Sequence, residues 1–458
     1  MKLLLELVRG HKMQSVAEVA APAVNRGIYS VCSAHPIVIE AALRQGLVDE
    51  EVILIEATSN QVNQFGGYTG MTPVAFKAFV LGIADRVKFP AERILFGGDH
   101  LGPNCWQSEA AASAMCKSET LIRDYVSAGF RKIHLDCSMS CADDPVPLTD
   151  AIVAQRAARL CAIAEHAWAQ VGGDQPVYVI GTEVPVPGGA HEELAELQVT
   201  SATAAATTIR MHQQAFHDAG LEQVWPRVIG LVVQPGVEFD HHKVIDYQSD
   251  KATTLSAYIK TQPTLVYEAH STDYQTAPNL RSLVQDHFAI LKVGPGLTFA
   301  LRETLWALAE IEAAMLGAES ASQHSANRTS LRTSNFKQIV LQTMQVEPGY
   351  WDKYYCDPST HKFDMQFSLS DRIRYYWSHP DIVRAQAVLL NNLAQRAIPL
   401  TLLSQYCPIQ YQAIRLGQMV NHPTEILIDG VAEVLRHYQQ ACNPAGITNE
   451  SKTSWSTV

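Results

Sequence analysis

Asp99 and His100 stand side by side at the end of an apolar run, in the segment FGGDHLGPNCWQ (96–107). A carboxylate and an imidazole held at a strand end can bind a cation or move a proton. The preceding Gly97 and Gly98 carry no side-chain bulk, so a ligand or another backbone segment could approach closely. The alternative is a structural role, with the aspartate capping the next helix and the histidine hydrogen-bonding locally.

Similar polar residues follow other short apolar runs of the chain. They are Ser33, His35, Glu56, Asp136, Glu183, Gln234, Glu268, His270 and Lys292. Strand ends are often polar because loops begin there, which explains some of this set. It explains less well why carboxylates and imidazoles recur at so many of them.

Eight runs of this kind occur in the first 300 residues, each apolar, β-branched and bounded by Gly or Pro, with a helix-like stretch before the next. They are 28–32, 52–57, 93–98, 132–138, 177–184, 228–236, 264–271 and 288–296. Eight strand-helix units predict an α/β fold, the (β/α)₈ TIM barrel, whose active-site face lies at the carboxyl ends of the strands. An open doubly wound sheet would carry a glycine-rich phosphate fingerprint after the first strand, and the sequence has none there. The opening 20 residues form an amphipathic pattern that predicts a helix closing the bottom of the fold.

In such a barrel, His100, Glu183 and His270 would end the third, fifth and seventh strands. Alternate strands point into one shared layer, so these three side chains predict a divalent-metal site, with zinc favoured and nickel or manganese as alternatives. Asp99 is the candidate proton shuttle. Asp136 would orient an imidazole or act as a further ligand, and Glu183 is counted among the catalytic as well as the metal-binding candidates. The candidates for substrate contacts are Ser33, His35, Glu56, Gln234, Asp273, Lys292 and Gly294.

Two glycine-containing segments, 181–192 and 292–303, place a predicted helix start after the fifth and eighth strands. Their backbone amides could hold a phosphate, and the eighth-strand position is the usual phosphate site of this fold. The alternative is that Gly-Pro-Gly simply turns the chain.

Composition narrows the class of protein. The 458 residues are 47% hydrophobic and 18% charged, with a formal net charge of -11, which argues against general binding to nucleic acid or anionic membranes. Nine cysteines without a CxxC pair indicate reduced thiols, and no apolar run reaches the ~18 residues of a membrane span. We therefore expect a cytoplasmic protein, and a homo-oligomer.

The chain beyond the barrel has a different composition. We expect a barrel domain over 1–317 including the N-terminal helix, a Ser-, Asn- and Arg-rich mobile linker over 318–335, a helical region packed on the barrel over 336–442, and a disordered tail over 443–458. An aromatic group in the helical region, around residues 351–377, is typical of a core or a subunit contact.

Long stretches of the chain resemble one family. The segments are GIYSVCSAHP, EATSNQVNQFGGYTGMTP, FGGDHLGPNCWQ, KIHLDCSMSCADDPVPLTD, VIGTEVPVPGGAHE, VVQPGVEFDH, YEAHSTDYQ and ILKVGPGLTFALRE, followed by SDRIRYYW and IPLTLLSQY. They resemble the Z-type subunit of class II D-tagatose-1,6-bisphosphate aldolase, from about residue 27 to at least 310 and again in the last third.

The resemblance implies a TIM-barrel protein described as a non-catalytic companion of a zinc-dependent Y-type subunit. It also implies kinship with class II aldolases, in which an Asp-His pair ends one strand, the histidine binding zinc and the aspartate handling a substrate hydroxyl proton. Asp99 and His100 match that pair, His270 matches a second ligand, and Glu183 stands where the Y-type subunit has another histidine. An older kinase label for the family finds no P-loop or kinase signature in this sequence.

Two departures from the family pattern weaken the case for a bisphosphate substrate. Cys105 stands where the pattern has a basic residue, and Gly296 where it has alanine.

Three hypotheses about function follow from the residues and the resemblance. In the first, the protein is a metal enzyme of C3–C4 aldol chemistry, such as a 4-epimerase of fructose and tagatose or their phosphates; the family that the chain resembles includes 4-epimerase-like members. In the second, it is an accessory subunit of a Y-type aldolase. In the third, it is a sugar-phosphate binding module without turnover.

Overall fold

The structure, a computed structural model, describes residues 1–13, 25–182, 197–321 and 332–443. Eight parallel strands close into a barrel. They are β1 (Ile28–Val31), β2 (Ile53–Thr58), β3 (Ile94–Leu101), β4 (Lys132–Leu135), β5 (Val177–Ile180), β6 (Val228–Val232), β9 (Val266–Ala269) and β10 (Phe288–Val293). Their order around the barrel is β1-β10-β9-β6-β5-β4-β3-β2. The predicted (β/α)₈ barrel is confirmed. A short antiparallel hairpin, β7 (Glu238–Phe239) with β8 (Val244–Ile245), follows the sixth barrel strand and is not among the predicted strands.

Helices alternate with the strands and then continue alone to the end of the chain. They are α1 (Lys2–Met13), α2 (Pro36–Asp49), α3 (Pro73–Val87), α4 (Ala111–Ala128), α5 (Asp150–Val171), α6 (Ala202–Asp218), α7 (Ser249–Lys260), α8 (Ala277–Gln285), α9 (Pro295–Ala321), α10 (Phe336–Val346), α11 (His361–Phe367), α12 (Pro380–Ala394), α13 (Leu400–Tyr406), α14 (Pro408–Arg415) and α15 (Pro423–Cys442). From α10 onward the described chain contains helices and no strand, so the C-terminal extension is helical as predicted.

Local sequence explains where these elements begin and what they bury. Hydroxyl side chains cap four crossover helices: Thr72, Thr149, Ser201 and Thr276 each accept a hydrogen bond from a backbone amide in the first turn. The barrel strands are almost wholly buried, because both faces of a closed parallel sheet are covered. Their continuous apolar character is what made them recognisable in the sequence.

Helix α1 closes the amino-terminal end of the barrel. Its Leu4 and Val8 share one buried cluster with residues from the start of several strands, among them Ile28, Val177 and Val266. The predicted N-terminal helix therefore covers the end of the barrel opposite to the carboxyl ends of the strands.

The described part of the chain forms two compact units. One contains Met1–Ala34 and Asp49–Gly294 together with the end of α15 from His437, and the other contains His35–Val48 and Pro295–Arg436. Most of the expected linker (318–335) and nearly all of the expected tail (443–458) lie outside the described residues, and both remain expectations. Within the described residues, every helix is too short or too polar to cross a lipid bilayer. All nine cysteines are free thiols.

Candidate metal centre

The backbone bends where β3 delivers Asp99 and His100. Consecutive residues of a regular strand point to opposite faces of the sheet. His100 instead adopts φ 48°, in the left-handed region that a bulky residue rarely enters, and the register between β3 and β4 shifts between Gly98 and Leu101. The His100 carbonyl accepts a hydrogen bond of 2.7 Å from Ser59 Oγ, which helps hold this conformation. Both neighbouring side chains can therefore contact one cluster.

Three imidazoles face one another at this end of the barrel. The ring centroids of His100, His134 and His270 lie 4.8 to 5.2 Å apart, and all three rings are buried. Imidazoles that gather in this way, without an apolar filling between them, are typical of a metal site.

Each imidazole has a carboxylate beside it. His100 Nδ1 lies 2.7 Å from Asp136 Oδ2, and Asp136 in turn accepts hydrogen bonds from the amide and hydroxyl of Ser138. His134 Nδ1 lies 3.0 Å from Asp99 Oδ1, and His270 Nε2 lies 3.0 Å from Glu268 Oε1. A carboxylate that orients a histidine in this way, as Asp136 orients His100, is the usual outer support of a metal site.

The donor atoms fit a divalent cation. Asp99, His134, Glu268 and His270 each offer a ligand atom, and these four atoms lie within 4.8 Å of one another. His134 Nε2 is buried and has no hydrogen-bond partner among the described residues, which is costly unless something else binds it. His100 adds its Nε2, 3.8 Å from Asp99 Oδ2, since Nδ1 is engaged by Asp136. The predicted ligand Glu183 lies outside the described residues.

Two buried lysines form the floor of the site. Lys132 Nζ lies 2.8 Å from Glu56 Oε1 and 2.7 Å from Glu268 Oε2. Lys292 Nζ lies 2.8 Å from Glu56 Oε2 and 3.1 Å from Asp99 Oδ1. Ser30 Oγ donates to Glu56 at 2.8 Å. Of the predicted substrate residues, Lys292 contacts Asp99 directly, and Glu56 is joined to Asp99 through Lys292.

The charges of the buried side chains also favour a divalent cation at this site. The buried site contains four carboxylates, from Glu56, Asp99, Asp136 and Glu268, and two ammonium groups, from Lys132 and Lys292. With neutral imidazoles, two negative charges are left without a counter-charge. A buried uncompensated charge is expensive, and one divalent cation would balance it.

The pKa values of the site residues are shifted by burial and by the charged groups around them. Burial would raise the pKa of Asp99, but Lys292 and His100 outweigh it and hold that pKa well below its usual range. Burial would lower the pKa of His100, but Asp99 and Asp136 raise it. Burial lowers the pKa of His270 to about 4, so this imidazole is neutral and able to bind a metal near pH 7. The pKa of Lys292 is well above its usual range despite burial, because Asp99 is close.

Gly97 makes room for the network. A Cβ atom at residue 97 would lie 2.7 Å from Cγ of Glu56 and 2.9 Å from its carboxyl carbon. A side chain there would push the Glu56 carboxylate away from Lys132 and Lys292. The glycine predicted to permit close approach does so for a buried carboxylate.

The remaining predicted substrate residues have varied surroundings. Asp273 accepts a 2.9 Å hydrogen bond from the Gly294 amide, and Ser33 is buried after β1. Gln234 Oε1 accepts from the amides of Gly236 and Val237, so this side chain shapes its own turn. His35 Nδ1 accepts from the amide of Ile37 at the start of α2, and its ring contacts Trp377 edge-on at 6.0 Å. Substrate contacts by these residues remain predictions.

Sequence reasoning missed His134 and Lys132. Both lie in the segment KIHLD, in which Lys132, His134 and Asp136 are two residues apart and therefore share one face of β4. A polar residue at every second position of an otherwise apolar strand was the available signal. It would have identified the inward face of the strand as part of the site.

The chain is similar to several proteins of known structure. A solved structure described as a probable tagatose 6 phosphate kinase from Sinorhizobium meliloti 1021 is 47% identical, covers 91% of this chain and 100% of its own, and superposes with a TM-score of 0.80. The structure of fructuronate-tagaturonate epimerase UxaE from Cohnella laeviribosi is 11% identical, covers 94% of this chain and 84% of its own, and gives a TM-score of 0.45. Fructose-bisphosphate aldolase from Campylobacter jejuni is also 11% identical (TM-score 0.42, 84% and 94%). Scores as low as these last two bear on neither reaction nor substrate.

The family match spans nearly the whole chain. A single family profile covers residues 13–443, which includes the barrel strands, the buried cluster and helices α2 to α15. The chain belongs to the D-tagatose-1,6-bisphosphate aldolase subunit GatZ/KbaZ-like family.

Proposed function

We propose that this protein is a divalent-metal enzyme that cleaves and re-forms the C3–C4 bond of a ketohexose, and so interconverts fructose and tagatose or their phosphates. The observation that carries this proposal is the convergence of His100, His134 and His270 with Asp99 in a buried site that contains four carboxylates and two ammonium groups. A purely structural subunit has no physical need for such an arrangement.

The metal would be held by His134 and His270, with Asp99, Glu268 and His100 as the other available donors. We propose zinc, with nickel and manganese as alternatives, because imidazole and carboxylate ligands suit all three. When bound, the cation would supply Lewis acidity for negative charge that develops on the C2 oxygen.

Asp99 is the proposed proton acceptor. Lys292 helps keep it ionised, so it can take the proton of the C4 hydroxyl. The C4–O electrons then form the aldehyde carbonyl, the C3–C4 bond breaks, and its electron pair moves into a C2–C3 enediolate. If the aldehyde rotates and the bond re-forms, C4 is inverted. If the aldehyde leaves, the same chemistry is an aldolase reaction.

The buried lysines around Asp99 would hold the carboxylates of the site in fixed positions. Lys132 joins the carboxylates of Glu56 and Glu268 from below, so neither can relax without breaking an ion pair. Lys292 occupies the position between Glu56 and Asp99 and fixes the direction of the Asp99 oxygens. Pre-set charges of this kind need little rearrangement during the reaction.

The family description favours a second candidate function. It names an aldolase subunit, so the protein could act by stabilising and activating a Y-type partner. In that case the metal-loaded chain would have no activity alone and would raise the activity of the partner.

We further propose a cytoplasmic location, which is consistent with nine free thiols. We also propose that the protein has no kinase activity, because the sequence lacks a phosphate-binding P-loop.

The test is to incubate the protein, loaded in turn with zinc, nickel and manganese, with fructose, tagatose and their phosphates in D₂O. Cleavage and recombination at C3–C4 breaks no C–H bond, so the 4-epimer should form without deuterium at C3 or C4. Deuterium at C4 would instead indicate epimerisation by proton removal from carbon. The Asp99→Asn variant should lose turnover.

Controls separate the candidate functions. Added ATP should leave the sugars unphosphorylated, and a Y-type subunit in a parallel assay tests the accessory role. Absence of product from every sugar with every metal, in the protein alone, would rule out the independent enzyme.

A further inference from the structure

Arg302 is an unusual buried cation in the helical part of the chain. It lies in the second turn of α9, is 3% exposed, and its Nη2 atom has no hydrogen-bond partner among the described residues. Its guanidinium lies 4.1 Å from the ring centroid of Phe299, which supports the plane but accepts no N–H bond. A buried guanidinium with an unused donor is costly, so an anionic partner would stabilise it.

A second segment reaches the same face of α9. Thr298 lies one turn before Arg302 and therefore on the same side of the helix. Its hydroxyl donates a 2.5 Å hydrogen bond to Oδ2 of Asp371, a buried residue with φ 44°. This contact brings the segment SDRIRYYW, which begins at Ser370, to Arg302.

That segment carries two more arginines. Arg372 is 3% exposed, donates from Nε to the Tyr350 carbonyl at 2.7 Å, and lies 3.3 Å from the ring centroid of Tyr354. Arg374 donates from Nη2 to the hydroxyl of Tyr375 at 3.2 Å. Burial would raise the pKa of Tyr375, but Arg374 and Arg372 outweigh it and lower that pKa. The two arginines therefore favour negative charge at the Tyr375 hydroxyl.

Positive groups exceed negative ones in this cluster. Burial raises the pKa of Asp371, and the guanidinium groups of Arg302, Arg374 and Arg372 all oppose that rise. Even with the exposed Glu303 counted, three cations face two carboxylates. In a chain with a net charge of -11, a buried excess of positive charge is not a consequence of composition.

We propose that Arg302, Arg372 and Arg374 form a binding site for a phosphate group, either free or carried by a monoester. Guanidinium groups match tetrahedral phosphate oxygens through paired N–H donors, and a dianion satisfies an excess of positive charge better than a single carboxylate does. Arg374 and Tyr375 are partly exposed and form the open edge of the site. This site does not rest on the proposed reaction, because its residues all lie in the second compact unit and binding needs no turnover.

The test is isothermal titration of the full-length protein with inorganic phosphate, fructose 6-phosphate and fructose at constant ionic strength. Phosphate should bind, and Arg302→Met should weaken it about ten-fold or more, as expected for the loss of a charge-assisted hydrogen bond. Arg302→Lys should recover part of the affinity. The control is Arg415→Met, which removes an exposed arginine of the same unit that lies over the ring of Tyr411, and it should leave the affinity unchanged.

The ligands distinguish two sources of the phosphate. Tighter binding of fructose 6-phosphate than of inorganic phosphate, with the difference lost in Arg302→Met, assigns the site to a sugar phosphate. Equal binding assigns it to free phosphate. Arg374→Met, at the partly exposed edge, provides the same comparison if Arg302→Met does not fold. Absence of phosphate binding at about 10 mM, or full affinity in both methionine variants, would overturn the proposal.

Discussion

His100 Nδ1 and Asp136 Oδ2 lie 2.7 Å apart, both buried, and this contact decides which histidine nitrogen remains available. With Nδ1 engaged by the carboxylate, Nε2 is left on the side of Asp99. The pair therefore orients the imidazole before any ligand arrives, in the arrangement that commonly supports metal-binding histidines.

Replacing Asp136 with asparagine should weaken metal binding about 10- to 100-fold, because the imidazole loses its charged support. Competition with a chromogenic chelator measures the affinity. Asp174→Asn is the control, since Asp174 is a mostly exposed carboxylate, and it should bind metal like the original protein. Equal affinities in the two variants would refute a supporting role for Asp136.

His134→Asn should reduce the bound metal to well below one equivalent, because an imidazole of the proposed site is lost. Elemental analysis after dialysis measures the stoichiometry. His212 offers a close match: it is also fully buried, and its Nε2 likewise has no partner among the residues that the structure describes. His212→Asn should retain the metal, since His212 Nδ1 only contacts the Thr208 carbonyl within its own helix. Metal retention by His134→Asn would remove His134 from the site.

Lys132→Met should lower the free energy of unfolding by about 3–5 kcal/mol, because the carboxylates of Glu56 and Glu268 would stay buried without their shared counter-charge. Urea denaturation measures the change. Lys117→Met breaks the partly exposed pair with Glu109 and should cost at most about 1 kcal/mol. A similar small loss in both variants would show that the buried network contributes little.

Glu238 should make stability fall as pH rises. Burial raises the pKa of this carboxyl to about 7, above its value of about 4.5 in an unfolded chain. Between these two pKa values the folded state holds a proton that the unfolded state releases. The stability that the protonated Glu238 contributes is therefore fully present below pH 4.5 and is lost as pH rises through about 7. Glu238→Gln should remove about 3 kcal/mol of this pH-dependent loss between pH 5 and 8.5, measured by urea denaturation. The exposed Glu222 provides the control, since Glu222→Gln should leave the pH profile unchanged.

The barrel could be predicted from the sequence because buried parallel strands have a simple signal. Runs such as Val228–Val232 are short, apolar and bounded by loop residues, and all eight runs became barrel strands. The hairpin β7–β8 has two residues in each strand, too few to give any periodic pattern.

The site was predicted less completely than the fold. Asp99, His100, Asp136 and His270, which the structure brings together, could be singled out in the sequence because they follow apolar runs, where a polar side chain stands out. His134 lies within a strand, and the left-handed backbone at His100 occurs at a residue type that gives no warning of it. The arginine cluster joins residues about 70 positions apart, a contact that only tertiary folding creates.

The small residue at position 97 restricts how relatives of this chain could vary. A Cβ atom there would overlap the Glu56 side chain, so the two positions cannot change independently without disturbing both lysines. Among homologous sequences, a larger residue at 97 should therefore occur together with a shorter one at 56. Such covariation would indicate that those relatives lack the Glu56 carboxylate that contacts both lysines, and with it the electrostatic environment of Asp99.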